Sequence, residues 1–145
     1  MISAIKSIKR VFSQNGGGGA ATNLVGSPCE IQLAASDETT ALTTGTSKVS
    51  FRMPFAMTLT EVRASLVTAQ ASGTIFTVDI NEAGVSVIST KLTIDNTELT
   101  SVTAATPPVI SDSGLADDAL ITIDIDQIGD GTAKGLKVLL KGTRA

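Results

Sequence analysis

A chain of 145 residues with no His, no Trp, no Tyr and one cysteine, Cys29, suits a single domain. It cannot build a His-dependent triad, a mixed His/Cys zinc site or an intrachain disulfide. Net charge is −3, but residues 1–29 hold Lys6, Lys9 and Arg10 with no acid (+3), whereas residues 30–145 hold 8 basic and 14 acidic side chains (−6). An acidic body is a poor ligand for nucleic acid, whose phosphates supply most of the affinity.

No run of about 18 apolar residues exists to cross a membrane. The basic start also lacks the apolar stretch of ~7–15 residues of a secretory signal, which predicts a chain made in the cytoplasm. At this length roughly 70% of the unfolded surface can be buried, so neither disulfide nor metal is required for stability.

In residues 1–14, Ile2, Ile5, Ile8 and Phe12 recur at helical spacing, with Lys6, Lys9 and Arg10 mostly off that stripe. A helix of about 12 residues is marginal in water. The pattern predicts an amphipathic arm, helical or extended, that anchors on a partner; the bland alternative is a frayed terminus. Residues 15–28 include four consecutive glycines and read as a tether, because glycine loses the most backbone entropy on ordering. A phosphate-cradling loop is excluded: no Gly-Lys-Ser/Thr follows, and the glycines succeed a helical pattern rather than a strand.

Residues 29–145 read as strands and turns. Glu30–Ala35 is a first strand, followed by a polar turn through Gly45. Val49, Phe51 and Met53 alternate with Lys48, Ser50 and Arg52, and Pro54 ends that strand. Met57–Ala69 points Val62, Ala64 and Leu66 inward; Leu59 is out of phase with them, which predicts a bulge near Thr60. Thr74–Asn81 turns Phe76, Val78 and Ile80 inward and Thr77 and Asp79 outward. Glu82-Ala-Gly84 is a hairpin turn, and Val85–Asp95 is its return strand. Thr97–Pro108 reads as an irregular crossing, Val109–Ser111 as a short edge strand and Ser113–Asp118 as a turn.

The clearest signal is Ile121–Asp126, where three isoleucines alternate with Thr122, Asp124 and Asp126. A period of two with one dry and one wet face marks an antiparallel sheet. Gly135–Thr143 closes the chain, burying Leu136, Val138 and Leu140 and leaving Leu139 outward. About eight regularly spaced strands with no helical pattern between them predict an all-β antiparallel sandwich, jelly-roll-like.

Two chemistries are weighed on the acidic side chains. Asp124, Asp126 and Gly129 echo the spacing of a calcium loop, with Asp130 beside them. However, Ile128 and Gly135 stand where that loop needs ligands, and strand alternation alone explains Asp124 and Asp126. A glycosidase would pair its carboxylates with aromatic sugar platforms, and Trp and Tyr are missing. The expectation is no enzyme, no catalytic residue, no cofactor and no metal.

Five blocks carry a resemblance: Ser36–Gly45, Phe51–Ser65, Val78–Gly84, Ile88–Asp95 and Leu120–Gly129, the last reading Leu-Ile-Thr-Ile-Asp-Ile-Asp-Gln-Ile-Gly. Together they span most of the body, and residues 1–29 lie outside them. The segment resembles a domain recurring in tailed-bacteriophage virion proteins, where it is a β-sandwich displayed in head-decoration, head-fibre and tail-fibre proteins. The resemblance implies a structural virion component with no catalytic residues.

Two expectations follow. The first is a capsid decoration (cement) or head-fibre protein, a homotrimer bound to the major capsid protein or another virion protein through residues 1–28. Outward Leu139 and Leu42 would then help form subunit contacts. The second is a receptor- or carbohydrate-binding module of a tail fibre or tail tip. Shaft repeats are absent here, and three of the four phenylalanines fall in or beside strands, which disfavours it. Neither expectation involves nucleic acid or a membrane.

Overall fold

The computed structural model describes residues 24–145, which form eleven strands. These are β1 (Pro28–Ala34), β2 (Gly45–Arg52), β3 (Met57–Ser65), β4 (Phe76–Glu82), β5 (Val85–Ser86) and β6 (Ile88–Thr90), then β7 (Leu92–Ile94), β8 (Val109–Ile110), β9 (Gly114–Leu115), β10 (Leu120–Gln127) and β11 (Lys137–Arg144). One sheet has the order β1-β11-β3-β9. The other has β2-β10-β4-β5, with β7 also on β4, and β6 pairs with β8 apart from both. All pairings are antiparallel.

With β5–β7 counted as one interrupted strand and β8–β9 as another, successive strands alternate between the two sheets except at the β4–β5 hairpin, whose two strands lie in one sheet. The eight strands are ordered 1-8-3-6 and 2-7-4-5. That order is a jelly roll.

Alternation decides which side chains enter the space between the sheets. Ile121, Ile123 and Ile125 are buried to within 1% from one sheet, beside Phe76, Val78 and Ile80; Met57, Val138 and Leu140 meet them from the other. Each such side chain contributes about 1.5–3 kcal/mol by leaving water.

The expected bulge lies at Thr60. Lys141 pairs with Glu61 and the next residue, Gly142, pairs with Leu59, so Thr60 has no opposite number. Leu59 and Val62 thereby both reach the core. The hairpin turn is also as read: Ala83 and Gly84 both have positive φ (49° and 84°), the two-residue turn that matches strand twist.

Several expectations are corrected. β3 ends at Ser65 rather than Ala69. The return strand after Gly84 is three pieces, because the chain leaves β4 after Ser86 and rejoins it only at Leu92. Ser113–Asp118 is not merely a turn but contains β9, a pair of residues too short to show alternation. Asp79 lies on the outer face as read but is buried there, covered by that same excursion of the chain. Leu42 is buried at 4% rather than outward, since its loop folds under the sandwich and its N–H donates to Ala133 O at 2.9 Å. Leu139 is on the outer face as expected, half-buried.

The two ends of the sandwich differ. At one end Gly26 N–H donates to Arg144 O, Arg144 N–H to Ser27 O and Ala145 N–H to Ala56 O. The first described residues and the C-terminus therefore lie together there. At the other end lie the loops 35–44, 66–75, 95–100 and 128–136.

Candidate functional site

The anchoring residues read from sequence, Ile2, Ile5, Ile8 and Phe12 with Lys6, Lys9 and Arg10, lie outside the described residues. The body to which they attach begins with β1 at Pro28.

Asp124, Asp126 and Asp130 are directed to separate protein partners. Asp124 accepts from the Ser47 N–H at 2.7 Å and from Asn81 Nδ2 at 3.1 Å. Asp126 accepts from the Lys91 ammonium. Asp130 accepts from the Thr132 hydroxyl (2.6 Å) and N–H (3.0 Å), and from the N–H groups of Ala71 (2.8 Å) and Ser72 (2.9 Å). The Thr132 hydroxyl first, then these N–H groups, hold the Asp130 carboxyl down at about 2. Among the described residues no group of three or more His, Cys, Asp or Glu is arranged to hold a metal ion.

The excursion between Ser86 and Leu92 makes a polar cluster on the outer face of the second sheet. Asp79 accepts from Ile80 N–H (2.9 Å) and the Ser86 hydroxyl (2.6 Å), and its other oxygen lies 3.1 Å from Lys91 Nζ. Lys91 also reaches Asp126, and that contact first, then Asp79, raises its pKa. The cluster is internally satisfied, and an ammonium held protonated is no nucleophile.

A concavity lies on the first sheet. Between the edge of β3 and the crossing segment 101–110 is a groove of about 490 Å³. Glu61–Arg63 form one wall, and Val102 with Pro107–Ile110 forms the other. A smaller hollow of about 140 Å³ continues past Arg63 to Leu139 and Lys137.

The groove exists because the sixth strand of the jelly roll splits. Its first part, β8, pairs with β6, and its second, β9, pairs with β3 only at Met57 and Thr58. Ahead of β8 run Pro107 and Pro108, which have no N–H to give a ladder. The adjoining 3₁₀ turn Ser101–Thr103 seals the far end: Ser101, buried, accepts the Ala64 N–H on its hydroxyl oxygen at 2.9 Å. The two prolines were legible as a loop; that they would hold a sheet edge open was not.

Comparison with protein-family models, with curated proteins and with solved structures finds no match.

Proposed function

We propose that the protein is a non-enzymatic structural component of a tailed-bacteriophage virion: a capsid decoration or head-fibre protein, held by its N-terminal arm and displaying the sandwich. The observation that carries this reading is the division of the chain. A leader of charge +3 with an apolar stripe precedes an acidic body of charge −6, and a tetraglycine separates them. Such a leader gains a surface by docking, while the body keeps its own core.

The geometry of the body supports the reading. Leu24–Ser27 leave the sandwich beside the C-terminus, opposite the loop-bearing end. With the arm bound to a lattice, that loop end would face outward, roughly 26 Å away for strands of eight residues. Trimerisation and binding to the major capsid protein belong to the same proposal.

A tail-fibre or receptor-binding module is the competing reading, and the aromatic side chains weigh against it. Phe76 is fully buried, Phe51 is half-buried, and Phe55 is half-buried under the Arg144 guanidinium, 3.9 Å from the ring centroid. Phe76 has no face for a sugar, and Phe51 and Phe55, packed against the core, are only partly exposed.

The test is removal of residues 1–19. The truncated protein is expected to fold and to lose particle binding. Full decoration of capsids by the truncated protein would sink the anchor, and micromolar binding to a host polysaccharide on a glycan array would favour the competing reading.

A further inference from the structure

We propose that the groove beside β3 is a strand-acceptor site, taking an extended segment of a partner polypeptide with an apolar side chain at its centre. The inference is independent of the virion assignment.

The backbone of β3 carries the argument. On the edge away from β11, the N–H groups of Leu59 and Ala64, and of Leu66 just past the strand's end, donate to Ser113 O (2.7 Å), Ser101 Oγ (2.9 Å) and Leu99 O (2.9 Å). Val62 is in phase with Ala64 and Leu66, so its N–H and C=O leave from the same edge, into the groove. Among the described residues, strand pairing on that side stops at Thr58 and resumes only with the bridge from Ser65 to Thr100. Since the Leu59 and Ala64 amides are already bonded, the open edge is residues 60–63, about 13 Å of strand, room for four residues.

The opposite wall fixes what can enter. Pro107 and Pro108 have no N–H to donate, so along that stretch the wall cannot offer the regular ladder that β3 can, and an incoming segment rests on it largely by van der Waals contact. The lip is apolar and open to solvent, with Val102 at 61% and Val109 at 50% exposure. The charges present are already matched: Arg63 Nε donates to Glu61, whose pKa is lowered chiefly by that bond, and Lys141 lies 3.5 Å from the other Glu61 oxygen. A charged ligand therefore finds no unpaired counter-ion, whereas backbone amides find a donor and an acceptor at Val62. This is strand addition, in which main-chain bonds give affinity and a side-chain pocket gives selectivity.

The experiment is selection of displayed random octapeptides on the full-length chain, with counter-selection on Val109→Asp. That site is exposed, and the variant's fold is checked by circular dichroism; Val102→Asp serves as a second variant. Enriched peptides are expected to centre on one apolar residue between small uncharged ones. The best synthetic peptide should slow hydrogen exchange at the Val62 amide. Its affinity should fall at least tenfold with either variant, and also when the peptide bond facing Val62 is N-methylated. No enrichment over the variant overturns the proposal, as does binding indifferent to N-methylation. Self-association of the chain lost in Val109→Asp, or displacement of the peptide by oligosaccharide, would reassign the groove and likewise overturn it.

Discussion

Gly129 donates its backbone N–H to Gln70 Oε1 at 2.7 Å, and Gln70, only 1% exposed, gives its amide protons to Thr74 O (2.7 Å) and Asn96 Oδ1 (2.6 Å). One side chain thus ties three loops of the end remote from the termini. The glycine is forced by space: a Cβ at 129 would lie 2.2 Å from Ser72 O and 2.8 Å from Gln70 Nε2.

Gln70→Ala should therefore cost about 2–4 kcal/mol, since buried donors and acceptors on three loops lose their partner together. Gly129→Ala should cost about 2 kcal/mol or more, because backbone rather than a flexible side chain must move. Urea denaturation measures both. Losses under about 0.5 kcal/mol would mean that these loops relax freely and that the end is not tied as described.

The acid limb of stability should report Asp37 and Asp130. Asp37 takes the N–H groups of Thr40 (2.6 Å) and Thr39 (2.8 Å), and these, Thr40 first, hold its carboxyl at about 2 against an ordinary 3.8. Asp130 is depressed equally. A carboxyl whose folded pKa is lowered contributes stability that is present above the unfolded pKa. That contribution is lost as pH falls through the folded pKa. Stability should hold down to about pH 4 and decline from there to about pH 2. The double variant Asp37→Asn, Asp130→Asn should be less stable at pH 7 and show a shallower decline over that window. An unchanged slope would show that other carboxyls govern it.

Legibility of the sequence follows from the range of the forces involved. Ile121–Ile125 disclose their face because strand alternation is local, and Leu59 disclosed the Thr60 bulge because a slipped phase is local too. The glycine that accepts the bulge was not legible. A Cβ at Gly142 would sit 2.0 Å from Thr58 O, a contact made across strands. Asp79 has the alternation of an exposed residue and is buried only because residues 87–91 fold over it. The groove depends on a pairing that fails to form, and no periodicity records an unmade ladder. The apolar stripe in residues 1–12 is a pattern of sequence alone.

Asp79 and Lys91 should prove unequal partners. Asp79→Ala removes the acceptor for Ile80 N–H and the Ser86 hydroxyl at a site whose side chain is 8% exposed. A loss of about 2–3 kcal/mol is expected. Lys91 is 43% exposed, and Asp79 keeps its other bonds without it, so Lys91→Ala should cost about 1 kcal/mol or less. Because the Lys91 pKa is raised in the folded state, its contribution is present below the ordinary value of 10.5 and is lost as pH rises through the folded pKa. Equal losses from both substitutions at pH 7 would mean that the ion pair, rather than the buried hydrogen bonds, sets the cluster's worth.

The arm offers a separation of apolar from charged contributions that bears on the proposed function. Ile5→Asp with Ile8→Asp places charge in the centre of the stripe while leaving residues 24–145 untouched. Each apolar side chain withdrawn from a buried contact forfeits about 1.5–3 kcal/mol, so the pair should weaken particle binding by well over tenfold. Replacing Lys6, Lys9 and Arg10 by Gln should instead act through screened attraction. The weakening should be clear at about 10 mM salt and shrink near 150 mM, where the Debye length falls from about 30 to 8 Å. Both variants should melt with the parent protein, because the described core is drawn from residues 29–140. Co-sedimentation with capsids at the two salt concentrations, beside a thermal melt, reads every arm of this prediction. Isoleucine variants that still bind at parental affinity would show that the stripe is not the gripping surface.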